Sequence, residues 1–260
     1  MSRTYVVTGS ASGIGHATKS ILENRGHRVV GVDIHNADVE VDLSTTVGRD
    51  SLCQKVSDLT EGRIDAVVAA AGVAHRTSQS VKVNYFGAIS TLESLRPLLL
   101  SSEAPRAVVV ASFAALMAYD IDLLDALSTG DEATASAIAD RIARTKRAAT
   151  IYASTKRAIA EWVRSASISA EWAGEGIPLN AVGPGVIFSP MTTPMMEDKR
   201  QWEQLLKAVP MPLTGRPGQP VSVAYLLAWL VSEENTNLTG QVMFIDSGAD
   251  AVIRGARVFD

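Results

Sequence analysis

The chain has little of what carries disulfide, metal or nucleic-acid chemistry. One cysteine, Cys53, stands among 260 residues, which excludes an internal disulfide and fits a reducing, cytoplasmic setting. The four histidines (His16, His27, His35 and His75) are scattered, none paired with a Cys or another His at ligand spacing, so no metal is expected. Long apolar runs are absent. The longest stretches, near 67–73 and 225–231, are too short to span a bilayer, and no membrane association is expected. There is no basic block, and the formal net charge is −4, which argues against nucleic acid as a partner. Met1-Ser2-Arg3-Thr4-Tyr5 enters an apolar strand almost at once, so no signal peptide is expected.

The rest of the composition is that of a packed domain. A hydrophobic content of 47% and a length of 260 residues suit one domain, 1–260, with a sizeable core. Strand-like runs at 5–8, 29–33, 39–41, 66–70, 107–112, 178–182 and 241–245 alternate with helical stretches. That alternation predicts an α/β fold, a doubly wound parallel sheet of seven strands with helices on both faces.

The amino terminus carries the first functional signal. Tyr5-Val6-Val7 leads into Thr8-Gly9-Ser10-Ala11-Ser12-Gly13-Ile14-Gly15, and then into a helical pattern with Ala17, Ile21 and Leu22 that ends near Gly26. In a strand–turn–helix of this kind, glycines let the backbone approach a pyrophosphate. The helix N-terminus offers free N–H groups and partial positive charge. The second strand, Val29-Val30-Gly31-Val32-Asp33, ends in an acid 18 positions after Gly15 (33 − 15). A carboxylate there can bind both ribose hydroxyls of an adenosine and repels a 2′-phosphate. Ile34, His35 and Asn36 follow it with no Lys or Arg, so NAD(H) is expected over NADP(H). Asp38 reads as a solvated loop residue. Asp42-Leu43 either touches the adenine edge or precedes a helix cap at Ser44-Thr45.

A second signal lies mid-chain. Tyr152 and Lys156, four apart on a predicted helix, share one face. A phenol ordinarily titrates near pH 10, and a neighbouring ammonium favours the phenolate, which predicts a lowered pKa and acid–base competence. Ser112 ends an apolar strand, where a hydroxyl faces the ligand crevice of open α/β sheets and can donate to a substrate oxygen.

Taken in this order, these motifs identify the chain as a member of the short-chain dehydrogenase/reductase family, across essentially its whole length. The loop 8–15 resembles the family's TGxxxGIG. Val83-Asn84-Tyr85-Phe86-Gly87 resembles the segment whose Asn helps anchor a proton-relay water. Asn180 to Gly185 resembles N-x-x-x-PG, and Asp246-Ser247-Gly248 the DGG near the C-terminus. The resemblance implies a single-domain Rossmann fold with strand order 3-2-1-4-5-6-7, and Asn84, Ser112, Tyr152 and Lys156 as the catalytic set. It implies contacts to NAD from Gly9, Ser12, Gly13, Ile14, Gly15, Asp33, Ile34, Asp42, Leu43, Ala70, Ala71 and Gly72, and from Tyr152, Lys156, Pro184, Gly185, Ile187 and Ser189. Ala69-Ala70-Ala71-Gly72 replaces the family's NNAG, so the asparagines that tie neighbouring strands are absent. Ser189 stands where a Thr is usual, and Phe113-Ala114 after Ser112 implies an apolar site floor.

Within the family the chain resembles bacterial 3α-hydroxysteroid dehydrogenase/carbonyl reductases, through Asn84-Tyr85-Phe86-Gly87-Ala88 and through extra residues before the catalytic helix. Ser112 and Tyr152 stand 40 positions apart (152 − 112), far more than is usual in the family. The insertion, about 116–149, reads as two short helices broken at Ser128-Thr129-Gly130, with Leu123, Leu124 and Leu127, then Ile138, Ile142 and Ala143, at helical spacing. By itself it could be a self-packed appendage. The resemblance implies that it covers the helix faces used for association, leaving a homodimer or homotetramer to be built from the last helix and strand and the tail 251–260. The catalytic helix is expected to run to about Glu171, with Trp162 and Ile168 packing on the sheet.

Residues 186–212 hold Ile187, Phe188, Met191, Met195, Met196, Trp202 and Met211, which read as a mobile lid over an apolar substrate. Thr192 and Thr193 are expected to cap a short helix within it. Phe113, Ala114, Phe188, Met191 and Met195 are the expected substrate pocket. The expected activity is NAD-dependent interconversion of a secondary alcohol and a ketone on a small apolar cyclic substrate, either steroid-like or a terpene or coniferyl-type alcohol. A non-catalytic NAD(H)-sensing protein is the alternative of another class.

Overall fold

The computed structural model describes residues 2–256, apart from the side chains of residues 194, 195 and 201. Strands β1 (Thr4–Thr8), β2 (Arg28–Asp33), β3 (Val39–Glu40), β4 (Ala66–Ala69), β5 (Arg106–Val110), β6 (Leu179–Pro184) and β7 (Val242–Ile245) form one sheet in the order β3-β2-β1-β4-β5-β6-β7. Every neighbouring pair is parallel, with Val6 opposite Val30 and Val67, and Val109 opposite Ala181. β4 and, after Arg106, β5 read as unbroken Val and Ala because both of their faces are buried.

Helices cover both faces. On one lie α1 (Gly13–Asn24) and, from the far end of the chain, α10 (Pro220–Leu230), which close a core around Val7, Leu22, Val68, Val108 and Leu227. On the other lie α2 (Thr46–Thr60), the short α3 (Ser78–Ser80) that continues through π-helical turns at Val81–Gly87 into α4 (Ala88–Leu99), then α5 (Ile121–Ser128), α6 (Glu132–Ala143) and α7 (Ala149–Ala166). A third, smaller core gathers α8 (Thr193–Glu197), α9 (Lys199–Ala208) and α11 (Ala249–Arg254) around Phe113, Val186, Val209 and Met211.

The seven expected strands and their order are all present. The expected insertion is the pair α5 and α6, each opened by an aspartate that accepts an amide of its own first turn: Asp120 from Leu123 N at 3.1 Å and Asp131 from Thr134 N at 3.0 Å. It is not self-packed. Leu123, Leu127, Ala135 and Ile142 join the same core as β4, β5 and α7. Asp120 also receives Arg147 at 2.6 Å and donates its backbone N–H to Ser154 Oγ at 2.9 Å, so the insertion is fastened directly to α7.

Two expectations about α7 are corrected. The helix ends at Ala166, not near Glu171, because turns bonded from Ser169 N to Ala166 O and from Ile177 N to Trp172 O fold the chain back. That reversal buries Trp172 edge-on against Trp162, and leaves Ile168 76% exposed, not packed on the sheet. Trp162 does pack against the main core.

If the insertion belongs to the main core, Leu127→Ala should cost about 2–5 kcal/mol of stability in chemical unfolding, as a fully buried leucine does. A loss well under 1 kcal/mol would mark the insertion as an appendage.

Candidate active site

The C-terminal ends of the strands open into a cleft of about 690 Å³. Its floor begins where β1 turns into α1. Gly9, at φ +70°, brings the turn so close to the end of β4 that a Cβ would sit 3.0 Å from Ala71 Cα, and a Cβ on Gly15 would meet Gly9 O at 2.1 Å. The helix starts at Ser12 with no side-chain cap, so its first amides face the cleft unbonded by a local side chain. Thr8 Oγ1 accepts from both Ala70 N and Ala71 N at 3.1 Å. This threonine ties β1 to the end of β4 where the sequence lacks the family's asparagines.

At the β2 end, the Asp33 carboxylate accepts from Ala11 N at 3.0 Å and Ile34 N at 2.7 Å, which sets it at the cleft wall. Asp42 and Leu43 line the same end. Asp42 does precede a helix cap, as one of the two readings had it: its Oδ1 accepts from Ser44 N at 2.8 Å, and Thr45 caps α2. Asp38 is less free than expected, since its carboxylate accepts from Gly31 N at 2.7 Å and pairs with Lys19 at 3.6 Å.

At the other end α7 presents Tyr152 and Lys156. Lys156 is 4% exposed, and its Nζ donates to Val110 O at 2.8 Å, at the tip of β5. Burial pulls its ammonium down to about 8. Tyr152 is half-buried, and burial pushes its phenol above its usual range, against a smaller downward pull from a hydrogen bond with Ser112. The expected lowering by Lys156 is therefore corrected. The ammonium lies 5.9 Å from the phenol ring centre and turns to the Val110 carbonyl, so desolvation prevails. Ser112 Oγ also accepts from Ala114 N at 3.1 Å. Asn84 is fully buried beneath these groups. Its amide donates to Val73 O at 2.9 Å and Thr155 Oγ1 at 3.4 Å and accepts from Val73 N at 2.8 Å, and it does not line the cleft.

Every cofactor contact expected from the sequence lines this one cleft, including Gly72, Pro184, Gly185, Ile187 and Ser189. The substrate residues fare differently. Met191 lines it, but Phe113, Ala114 and Phe188 do not. Ser112 caps a 3₁₀ turn over Phe113–Leu116, and this swings Phe113 beneath the lid, edge-on to Phe244. Phe188 is 50% exposed, and the Met195 side chain lies outside the described residues. Thr192 gives no side-chain cap to α8. Its hydroxyl instead closes the turn onto Ser189 N and Ile187 O. The sequence reading missed Val73, Ala74, His75, Gln79 and Val83 along the middle wall, where only their place after β4 could have marked them. Among the described residues, no His, Cys, Asp and Glu cluster could hold a metal, and no helix is long and apolar enough to cross a membrane.

The cleft fits a dinucleotide on its own geometry: glycines that admit no Cβ, open amides and an acid fixed at the end of β2. A family model described as enoyl-(acyl carrier protein) reductase matches residues 9–250. The 3-alpha-hydroxysteroid dehydrogenase/carbonyl reductase of Comamonas testosteroni is 37% identical, over 96% of this chain and 97% of its own. The chain belongs to the short-chain dehydrogenase/reductase family. It is thus a member of a family of oxidoreductases. The crystal structure of the 3-alpha-hydroxysteroid dehydrogenase from Pseudomonas sp. B-0831, complexed with NADH, superposes with a TM-score of 0.89 at 36% identity, over 97% of this chain and 99% of that one. A tropinone reductase homolog of Arabidopsis thaliana is 28% identical over 94% of this chain and 78% of its own.

The buried ammonium predicts a pH signature in the cofactor-free protein. Below about pH 8 Lys156 is charged in the folded and unfolded states, and its burial cost is fully felt. Between there and its ordinary value of 10.5 only the unfolded chain holds the proton, so stability rises with pH. Lys156→Met removes that rise. In urea unfolding its advantage over the native protein should shrink between pH 7 and 10 by up to about 3 kcal/mol, and a pH-independent difference would refute the assignment.

Proposed function

We propose that the protein is an NAD-dependent oxidoreductase that interconverts a secondary alcohol and a ketone on an apolar cyclic substrate, of the steroid 3α-hydroxyl or carbonyl kind. The observation that carries this reading is one continuous cleft with the glycine loop and Asp33 at one end and Ser112, Tyr152 and Lys156 at the other. The NADH complex of the Pseudomonas protein, and the activity named for the Comamonas protein, support both the cofactor and the substrate class. Asp33 favours NAD(H), because a 2′-phosphate would lie against its carboxylate.

When bound, a nicotinamide supplies the hydride acceptor for oxidation and the donor for reduction. The remaining chemistry falls to this chain. Tyr152 takes the substrate hydroxyl proton in oxidation and returns it in reduction. Ser112, whose hydroxyl draws the phenol's pKa downward, orients the substrate oxygen. Lys156 holds the nicotinamide ribose, and its charge favours the phenolate as that form is reached. Asn84 has its side-chain amide engaged with Val73 and Thr155, so it would hold a relay water through its main-chain carbonyl. Met191 and the lid, about 186–212, exclude water over an apolar substrate.

We also propose a cytoplasmic homodimer or homotetramer. The insertion covers α7, while Tyr225 and Trp229 on α10 and Val252 and Ile253 on α11 are exposed. The part of the expected interface at 257–260 lies outside the described residues. Trp229→Glu should halve the mass seen by light scattering, and an unchanged mass would remove α10 from the interface.

For the chemistry, Tyr152→Phe should lower kcat by on the order of 10²–10⁴ while NADH binding stays nearly intact. The screen behind it offers NAD+ or NADP+ with steroid, bicyclic terpene and aromatic alcohols. Substantial turnover by the Phe variant would remove Tyr152 from its role. NADH binding by the native protein without turnover of any of the three groups would favour the sensing alternative.

A further inference from the structure

The insertion does more than occupy a helix face. Its second helix, α6, reaches the cleft wall at the Asp42–Leu43 end and the middle wall beside Gln79. On one side Arg49, only 7% exposed, forks onto the Glu132 carboxylate, with Nη1–Oε1 at 3.3 Å. The same Nη1 donates to Leu43 O at 3.3 Å, and Nη2 reaches Thr46 Oγ1 at 3.4 Å. A buried guanidinium needs its carboxylate, and here the carboxylate comes from the insertion. Leu43 is thus held by a residue that Glu132 holds.

On the other side Asp140, two turns along α6, accepts from Ser78 N at 3.2 Å and so anchors the start of α3. The neighbouring Gln79 lines the cleft, and Ser80 Oγ donates to His75 O at 2.5 Å, which fixes the loop before it. The two walls also meet. Gly87, further along that same helical run, packs so closely on Leu43 that a Cβ would lie 3.1 Å from Leu43 Cβ. Two walls of the cleft, one at the Asp42–Leu43 end and one along its middle, are therefore each fastened from outside by one acidic residue of α6.

We propose that α6 is a brace for the cofactor site, in which Glu132 positions the adenosine end through Arg49–Leu43 and Asp140 positions the middle wall through Ser78. The proposal rests on the reading of the cleft as a dinucleotide site. It assigns the insertion a part in cofactor affinity that is separate from any part in assembly. The Glu132–Arg49 contacts touch only the Asp42–Leu43 end, so the effect of Glu132 is confined to ligands that carry adenosine. The Asp140 arm continues through Ser80 to Val73 O at 3.4 Å and so runs toward Asn84 as well.

The test titrates the whole protein with NADH and with reduced nicotinamide mononucleotide, which lacks the adenosine half, following the fluorescence of the reduced nicotinamide. Glu132→Gln keeps the shape and removes the charge. Asp140→Ala removes an exposed acceptor and gives a second variant that keeps its fold. Each should raise the NADH Kd, with Glu132→Gln on the order of three- to tenfold and Asp140→Ala less. In Glu132→Gln the mononucleotide Kd and kcat at saturating NAD+ should stay within about twofold. In the cofactor-free Glu132→Gln protein, the backbone amides of 43–46 should exchange with solvent faster than in the native chain. An unchanged NADH Kd in both variants, or equal weakening of NADH and the mononucleotide by Glu132→Gln, overturns the brace. A native protein that binds neither ligand overturns the cofactor reading itself and the brace with it.

Discussion

A single buried charge fixes the relation between the catalytic helix and the sheet. Lys156 cannot leave its ammonium unsatisfied at 4% exposure, and the carbonyl of Val110 at 2.8 Å is what it finds. That bond joins the middle of α7 to the tip of β5, two residues before Ser112. Helix and strand are thereby held so that the Ser112 hydroxyl meets the Tyr152 phenol. The opposite side of the junction is closed by Asn84, which spans Val73 and Thr155. The three groups with chemistry to do thus stand on two elements pinned by two polar side chains that face no solvent.

Most of this frame is legible in the sequence because it follows from short-range rules. Val and Ala runs between helical patterns give a parallel sheet, and strand–glycine–helix gives a ligand-binding turn. An acid at the end of β2 and a hydroxyl after β5 fall at the sheet edge where such folds bind ligands. Side-chain direction is another matter. The four-residue spacing puts Tyr152 and Lys156 on one face, but it does not say that Nζ will turn to Val110. Nor does it say that Phe113, adjacent to Ser112, will rotate under the lid to meet Phe244. Those outcomes depend on neighbours far along the chain. The reversal after Ala166, which buries Trp172 in place of Ile168, is of the same kind.

The insertion divides along the same line. Its helices, their break and their apolar spacing are local properties, and the structure has them at Ile121–Ser128 and Glu132–Ala143. Whether those apolar faces turn inward to each other or onto the body is a tertiary choice. Leu123 and Leu127 settle it by completing the core beside α7. The replaced asparagines give a parallel case. Ala70 and Ala71 lack polar side chains, yet the end of β4 is still tied, because Thr8 offers one hydroxyl oxygen to both amides. A motif can lose its side chains and keep its geometry when the backbone donors remain and an acceptor stands opposite.

Burial acts on the Tyr152–Lys156 pair with one cause and two signs. Excluding water disfavours charge, so it raises the phenol and lowers the ammonium, to about 8 in the case of Lys156. The pair is thereby ordered: as pH rises, the ammonium gives up its proton before the phenol does. Near neutral pH the resident state is a protonated phenol beside an ammonium whose hydrogen bond goes to a neutral carbonyl. In that state Tyr152 is equipped to donate a proton. For it to accept one, a charge or hydrogen-bond donor must stabilise the phenolate, and the groups that act on it are the Ser112 hydroxyl, which already pulls its pKa downward, and Lys156 itself. The burial that strengthens each polar contact also sets the conditions under which its base exists, so the electrostatics of this site depend on what fills the space beside these two side chains.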